Sequence, residues 1–253
     1  MSRLFIGLLL VVVTACARPP QVTWTELPTV DFLLTRLADT TGQVHSLDGT
    51  AKVSMTVKGK IFSSQQFLLV EKPDRLRADV LTGFGQLILQ LTADGKELSV
   101  FMLHTPVPSR FLRGPATAEN LARFTRVPLA TEDMVRLLLY EPPLITYQQA
   151  EVVAEGNTLL LCLNNQKFRQ ELLFDRYLRF VGCRYFSQEG IFLEVLYDKF
   201  NERDAFPRKI QIKLAEEDTK VVFIFSDLQT NVRIEPERFT LEIPAQIAVE
   251  PIL

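Results

Sequence analysis

Residues Arg75–Leu91 read RLRADVLTGFGQLILQL. Leu76, Ala78 and Val80 alternate with Arg75, Arg77 and Asp79. After a break, Leu87, Leu89 and Leu91 alternate with Gln86, Ile88 and Gln90. A period of two sends successive side chains to opposite faces of an extended chain, so each run reads as a strand. Thr82-Gly83-Phe84-Gly85 joins them as a loop. A large aromatic between two glycines has little local reason to be buried. It either projects from the loop as an exposed apolar tip or folds back onto the sheet as a plug.

The same period extends outward. Upstream, Val53, Met55 and Val57 alternate with Lys52, Ser54, Thr56 and Lys58. Lys58-Gly59-Lys60 is a turn, Ile61 to Val70 returns as a second strand, and Pro73-Asp74 breaks it. Downstream, Asp94-Gly95 is a hairpin signal, and Leu98 to Leu103 follows as a fifth strand. Short connections make these five strands an antiparallel meander. Further strands are expected near 150–155, 158–163, 167–174, 178–187, 190–199, 208–215 and 219–227, about a dozen in all. Regular strand spacing on this scale argues for a closed or strongly curled sheet.

Three helices interrupt the pattern. Phe32, Leu33, Leu37, Val44 and Leu47 are spaced loosely as one face of a helix over about 31 to 44, with Asp31 as its cap. Thr117 to Arg126 and Thr131 to Tyr140 have helical character, with Thr117 and Thr131 as N-caps. Pro128 separates the two and Pro142-Pro143 ends the second. A large sheet with one apolar face is either filled by its own side chains or encloses a cavity, and composition does not decide which.

The start of the chain carries a different signal. Leu4 to Cys16 reads LFIGLLLVVVTAC, after Ser2 and a positive Arg3. The apolar run is too short for a stable span and ends in small residues before a cysteine, as secretory signals do. This resembles the bacterial lipobox, which implies cleavage before Cys16 and acylation of its thiol. An ordinary signal peptide with an incidental cysteine, or a membrane anchor, are the alternatives. Residues 1–15 are then a signal, 16–30 an extended lipidated tether containing Pro19, Pro20 and Pro28, and 31–253 a single domain. Cys162 and Cys183 fall in separate strands with one strand between, beyond disulfide reach, and read as buried apolar groups.

Composition narrows the function classes. The 253 residues carry a formal net charge of −2 and no basic run, which argues against nucleic acid. The two histidines, His45 and His104, have no metal-ligand spacing, and no nucleophile or phosphate-loop motif occurs. Glu216, Glu217 and Asp218 cluster at a turn, where solvated charge is the expected state. Neither an enzyme nor a metal or cofactor is expected.

Taken together, Arg75 to Leu91, the stretch NLARFTRVPLATEDMVRLLLYEPPL from Asn120 to Leu144, and the tail Arg238 to Pro244 resemble the LolA/LolB-like lipoprotein carriers and receptors. The tail looks like a closing strand of that family. The resemblance implies a mainly β fold: a half-open antiparallel β-barrel of about 11–12 strands, a helical lid and an apolar cavity for acyl chains. It also implies that Gly83, Phe84 and Gly85 form a membrane-insertion loop, with Phe84 where the best-known members carry Leu. Cavity candidates are Phe67, Leu69, Leu89, Leu91, Leu98, Met102, Met134, Leu138 and Phe223. Expected partners are acylated lipoproteins as cargo, a periplasmic LolA-like carrier, and the outer-membrane bilayer through Cys16. Ala17, rather than Asp, after the cysteine points to outer-membrane sorting by analogy with enteric relatives. A monomer is expected. A structural, assembly or sensor lipoprotein built on the same scaffold is the other reading.

Overall fold

The structure, a computed structural model, describes residues 24–103, 108–201, 205–215 and 218–252. Cys16, the leader and most of the tether lie outside the described residues, as do His104, Glu216 and Glu217.

Helix α1 (Val30–Thr41) opens the domain. Its cap is Thr29, whose hydroxyl accepts from the Phe32 amide at 3.2 Å, and Asp31 falls in the first turn instead. There its carboxylate faces the positive end of the helix, a second use for an acidic residue at that place. Leu33 and Leu37 bury the inner face of α1. The stretch expected as a free tether already touches the barrel at Trp24, whose indole donates to the Gly156 carbonyl at 3.2 Å.

Six strands follow: β1 (Ser46–Val57), β2 (Lys60–Glu71), β3 (Arg75–Leu81), β4 (Leu87–Ala93), β5 (Glu97–Met102) and β6 (Arg110–Pro115). Helices α2 (Ala118–Thr125) and α3 (Thr131–Leu138) come next. The second half contains β7 (Gln149–Glu155), β8 (Thr158–Asn164), β9 (Arg169–Phe174), β10 (Phe180–Ser187), β11 (Gly190–Phe200), β12 (Pro207–Leu214) and β13 (Thr219–Thr230). A short 3-10 helix, Pro236–Phe239, and β14 (Val249–Pro251) end the described chain.

All fourteen strands form one open sheet in the order β14-β6-β5-β4-β3-β2-β1-β13-β12-β11-β10-β9-β8-β7. Two strands exceed the expected dozen, β6 and β14, and among the described residues their pairing is the one parallel ladder. Strand β1 is the seam between the two halves. Its Val53 stands opposite Ser64 of β2 and Phe223 of β13. Register carries the inner face across the floor: Leu68 pairs with Ala78, and Ala78 with Leu91. The main core lies on this inner face, closed over by α1, α2 and α3.

The tail departs from the expected closing strand. Residues from Pro236 form the 3-10 helix, because proline at its start lacks the amide a ladder needs. Phe239 then packs with Leu69 and Ile234 on the outer face of the sheet. Cys162 and Cys183 are both free and buried. Cys183 is opposite Leu172, which is opposite Leu161, so Cys162 faces the other side of the sheet. Burial pushes the Cys183 thiol up to about 12, so it stays protonated.

Candidate functional site: an apolar cavity under a two-helix lid

Helices α2 and α3 lie across the inner face of β13-β1-β2-β3-β4 and leave a cavity of about 60 Å³ between. Of its sixteen lining residues only Gln66 and Thr125 are polar. Both are engaged: Gln66 Nε2 donates to Ser64 Oγ at 3.1 Å, and the Thr125 hydroxyl donates to the Leu121 carbonyl at 3.0 Å. No charge lines the space, so it discriminates by apolar contact alone.

Five of the nine expected cavity residues line it: Leu89 and Leu91 from β4, Met134 and Leu138 from α3, and Phe223 from β13. The other four do not. Phe67 and Leu69 are in the wrong phase; Phe67 is exposed on the outer face, and Leu69 is buried there beneath Phe239 and Ile234. The inward residues of β2 are Gln66 and Leu68. Leu98 is fully buried in the core and does not line the cavity. Met102 is half-buried and borders a surface groove beside Leu87 and Ile88.

The lid is built asymmetrically. Thr117 caps α2, its hydroxyl accepting from the Asn120 amide at 3.2 Å. Thr131, expected to cap α3, is instead its first residue, and its buried hydroxyl has no partner. The link between the helices passes through Arg126 with φ of 63°. The far end of α3 is pinned. Tyr197 donates its hydroxyl to the Leu137 carbonyl at 3.0 Å, and Tyr140 donates to the Phe180 carbonyl. Tyr185 and Gln170 donate to the Pro143 carbonyl at 2.8 and 2.9 Å. Burial raises the pKa values of Tyr185 and Tyr197 well above the ordinary phenol value, so both remain donors. These anchors were not singled out in the sequence. A tyrosine in the inward phase of a strand is the available signal, since a buried hydroxyl needs an acceptor.

Glu141 completes the pinned end. It accepts from Arg136 at 2.9 Å and pairs with Lys72 of the β2–β3 turn. Burial alone would raise its pKa, but Lys72 and Arg136 outweigh this and hold it below the usual value. A folded value below the unfolded one adds stability above the ordinary glutamate range, and that stability is lost as pH falls through the lowered value. The melting temperature is therefore expected to fall on acidification below that range. Glu141→Gln should flatten part of the fall, measured by thermal melts across an acid series.

The loop at Phe84 is organised by Thr82. Its carbonyl accepts from the Gly85 amide at 3.0 Å, and its hydroxyl accepts from the amides of Phe84 and Gln86 at 3.3 and 3.2 Å. Gly85 sits at φ of 81°, a left-handed conformation open to glycine. The outcome is a tight turn that leaves Phe84 97 % exposed. Among the described residues no group of three or more His, Cys, Asp or Glu could hold a metal ion. Among them, too, no helix is long and apolar enough to cross a membrane.

No protein-family model and no curated protein matches the sequence. Solved structures do match. A DUF1329 family protein from Desulfovibrio piger is 14 % identical, with a TM-score of 0.52, over 83 % of this chain and 95 % of that one. A LolA superfamily protein from Nitrosomonas europaea is 12 % identical, with a TM-score of 0.51, over 85 % and 99 %. A domain from Vibrio parahaemolyticus, described as an outer membrane lipoprotein-sorting protein, is 9 % identical, with a TM-score of 0.50, over 83 % and 97 %. At these identities the likeness is one of fold alone, that of a largely antiparallel open sheet with helices laid across its inner face.

Proposed function

We propose that this chain is a lipid-anchored outer-membrane protein, facing the periplasm and held through acylated Cys16. It receives lipoproteins from a periplasmic LolA-like carrier and passes their acyl chains through its own cavity into the bilayer. The observation that carries this reading is the uncharged cavity beneath the two short helices of the lid. Several acyl chains on one protein make release into water negligible, because each buried methylene contributes about 0.8 kcal/mol. Transfer between apolar sites avoids that barrier and needs neither a covalent step nor a nucleotide; differences in apolar contact set its direction.

The closed cavity must expand to work. At about 60 Å³ it is smaller than the ~150 Å³ cavity that admits benzene. Opening is expected at α2 and the 126–130 link, since the far end of α3 is held by buried hydroxyls. The same smallness favours the second reading, a structural or assembly lipoprotein whose barrel stays filled. Depletion in the native host separates them: other lipoproteins should leave the outer membrane under the first reading and stay under the second.

Phe84 is the proposed probe of the bilayer. Its side chain makes no core contact, so Phe84→Glu should change stability by no more than about 0.5 kcal/mol. It should nonetheless stop delivery of lipoprotein to membranes. A folded Phe84→Glu protein that still delivers cargo would remove this role.

A further inference from the structure

We infer that the β1–β2 hairpin is a second membrane-contacting element, which fixes the end of the barrel that meets the bilayer. Strands β2 and β3 are antiparallel, with Gln65 opposite Leu81, so the β1–β2 tip and the Phe84 loop lie at the same end of the sheet. At that tip Ile61 is 73 % and Phe62 61 % exposed. Consecutive strand residues point to opposite faces, so the tip is apolar on both sides. Neither side chain is needed to fill the core, and exposed apolar groups gathered at one edge mark a contact surface.

Charge favours a lipid surface over a protein. From Thr50 to Val70 the only charged residues are Lys52, Lys58 and Lys60, and from Val80 to Ala93 there are none. The turns at the opposite end of the same strands mix both signs, with Glu71, Lys72 and Asp74 in one and Asp94, Lys96 and Glu97 in the other. An apolar tip bracketed by lysines, with no acidic residue between Thr50 and Val70, suits insertion among anionic headgroups.

The hairpin also joins this surface to the cavity. Phe62 stands directly opposite Met55, which lines the cavity, and the pair shares the inner face. The apolar wall therefore runs from beneath the lid through Met55 to Phe62 and ends where the tip would meet lipid. This use of the wall as an exit path rests on the acyl-carrier reading above; the membrane contact itself does not.

The test uses the full-length acylated protein in vesicles of three parts phosphatidylethanolamine to one part phosphatidylglycerol. Trp24→Phe removes the native indole, and Phe62→Trp, Phe84→Trp or Tyr177→Trp places a single one. Tyr177 is 62 % exposed in the β9–β10 turn, at the other end of the barrel. Tryptophan at 62 should emit to the blue and be quenched about twofold by chain-brominated lipid, as a depth of ~5–10 Å requires. Tryptophan at 177 should be unaffected. Emission at 62 no more quenched than at 177 overturns the inference, and quenching at 84 alone does so while sparing the Phe84 loop. Quenching at 62 in a protein that binds no acyl chain would uphold the contact and end the carrier reading.

Discussion

Tyr140→Ala is expected to destabilise the protein by about 3–5 kcal/mol, a fall in Tm of roughly 6–20 °C for a domain of this size. Tyr140 follows α3 with φ of 65°. The Glu141 amide donates to the Arg136 carbonyl at 2.8 Å and the Tyr140 amide to the Leu137 carbonyl at 3.2 Å, the paired bonds of a Schellman ending. Glycine is the usual residue there, and a left-handed tyrosine costs roughly 1–2 kcal/mol. The ring repays that. It is 2 % exposed and packs against Phe180, Tyr197, Phe200 and Phe206 at centroid distances of 5.6, 4.8, 5.7 and 6.2 Å. Tyr140→Gly should therefore also be strongly destabilised, despite its relaxed backbone. Tyr140→Phe should lose only about 1–3 kcal/mol, for the Phe180 carbonyl left without its donor. A Tyr140→Gly protein as stable as the parent would show that the ring does not hold this end of the lid. Calorimetry of the three variants decides.

Ala78→Trp should abolish ligand uptake, with apolar-probe affinity falling tenfold or more, about 1.4 kcal/mol. Ala78 lies on the cavity floor between Leu68 and Leu91. An indole there exceeds the available space and presses on the lid, at a stability cost of about 1–3 kcal/mol. Met134→Ala should act in the opposite sense on binding. It removes a lid side chain that is 2 % exposed, costs about 2–5 kcal/mol of stability, and enlarges the cavity. Equilibrium titration of both variants with one fluorescent probe gives the comparison. Equal affinities in the two would place the ligand elsewhere.

The sheet was legible because most strands keep one wet face, and the period of two survives in the sequence. Strands β6 and β14 escaped for separate reasons. Arg110–Pro115 is short and follows a proline-containing stretch, while Val249–Pro251 is a three-residue strand whose partner is distant and parallel. The cavity was half legible. On β4 and α3 the apolar phase is unambiguous, and Leu89, Leu91, Met134 and Leu138 fall where expected. On β2 the run Phe67-Leu68-Leu69-Val70 is apolar on both faces, so alternation gives no phase. Leu69 is apolar because the C-terminal segment covers it from outside, a contact between residues far apart in the chain. The lid's anchors left only the inward phase of their tyrosines as a signal, and their acceptor was illegible: Tyr185 and Gln170 meet at the Pro143 carbonyl only once β9 and β10 are in register.

The central claim is that hydrocarbon enters the space beneath α2 and α3. Titration of the purified chain, freed of its leader and Cys16, with an apolar fluorescent probe measures this most directly. Saturable binding, displaced by a long-chain fatty acid and lost in Ala78→Trp, is the predicted result. A probe that finds no site in the parent protein, at concentrations that saturate a known acyl-chain carrier, would contradict it.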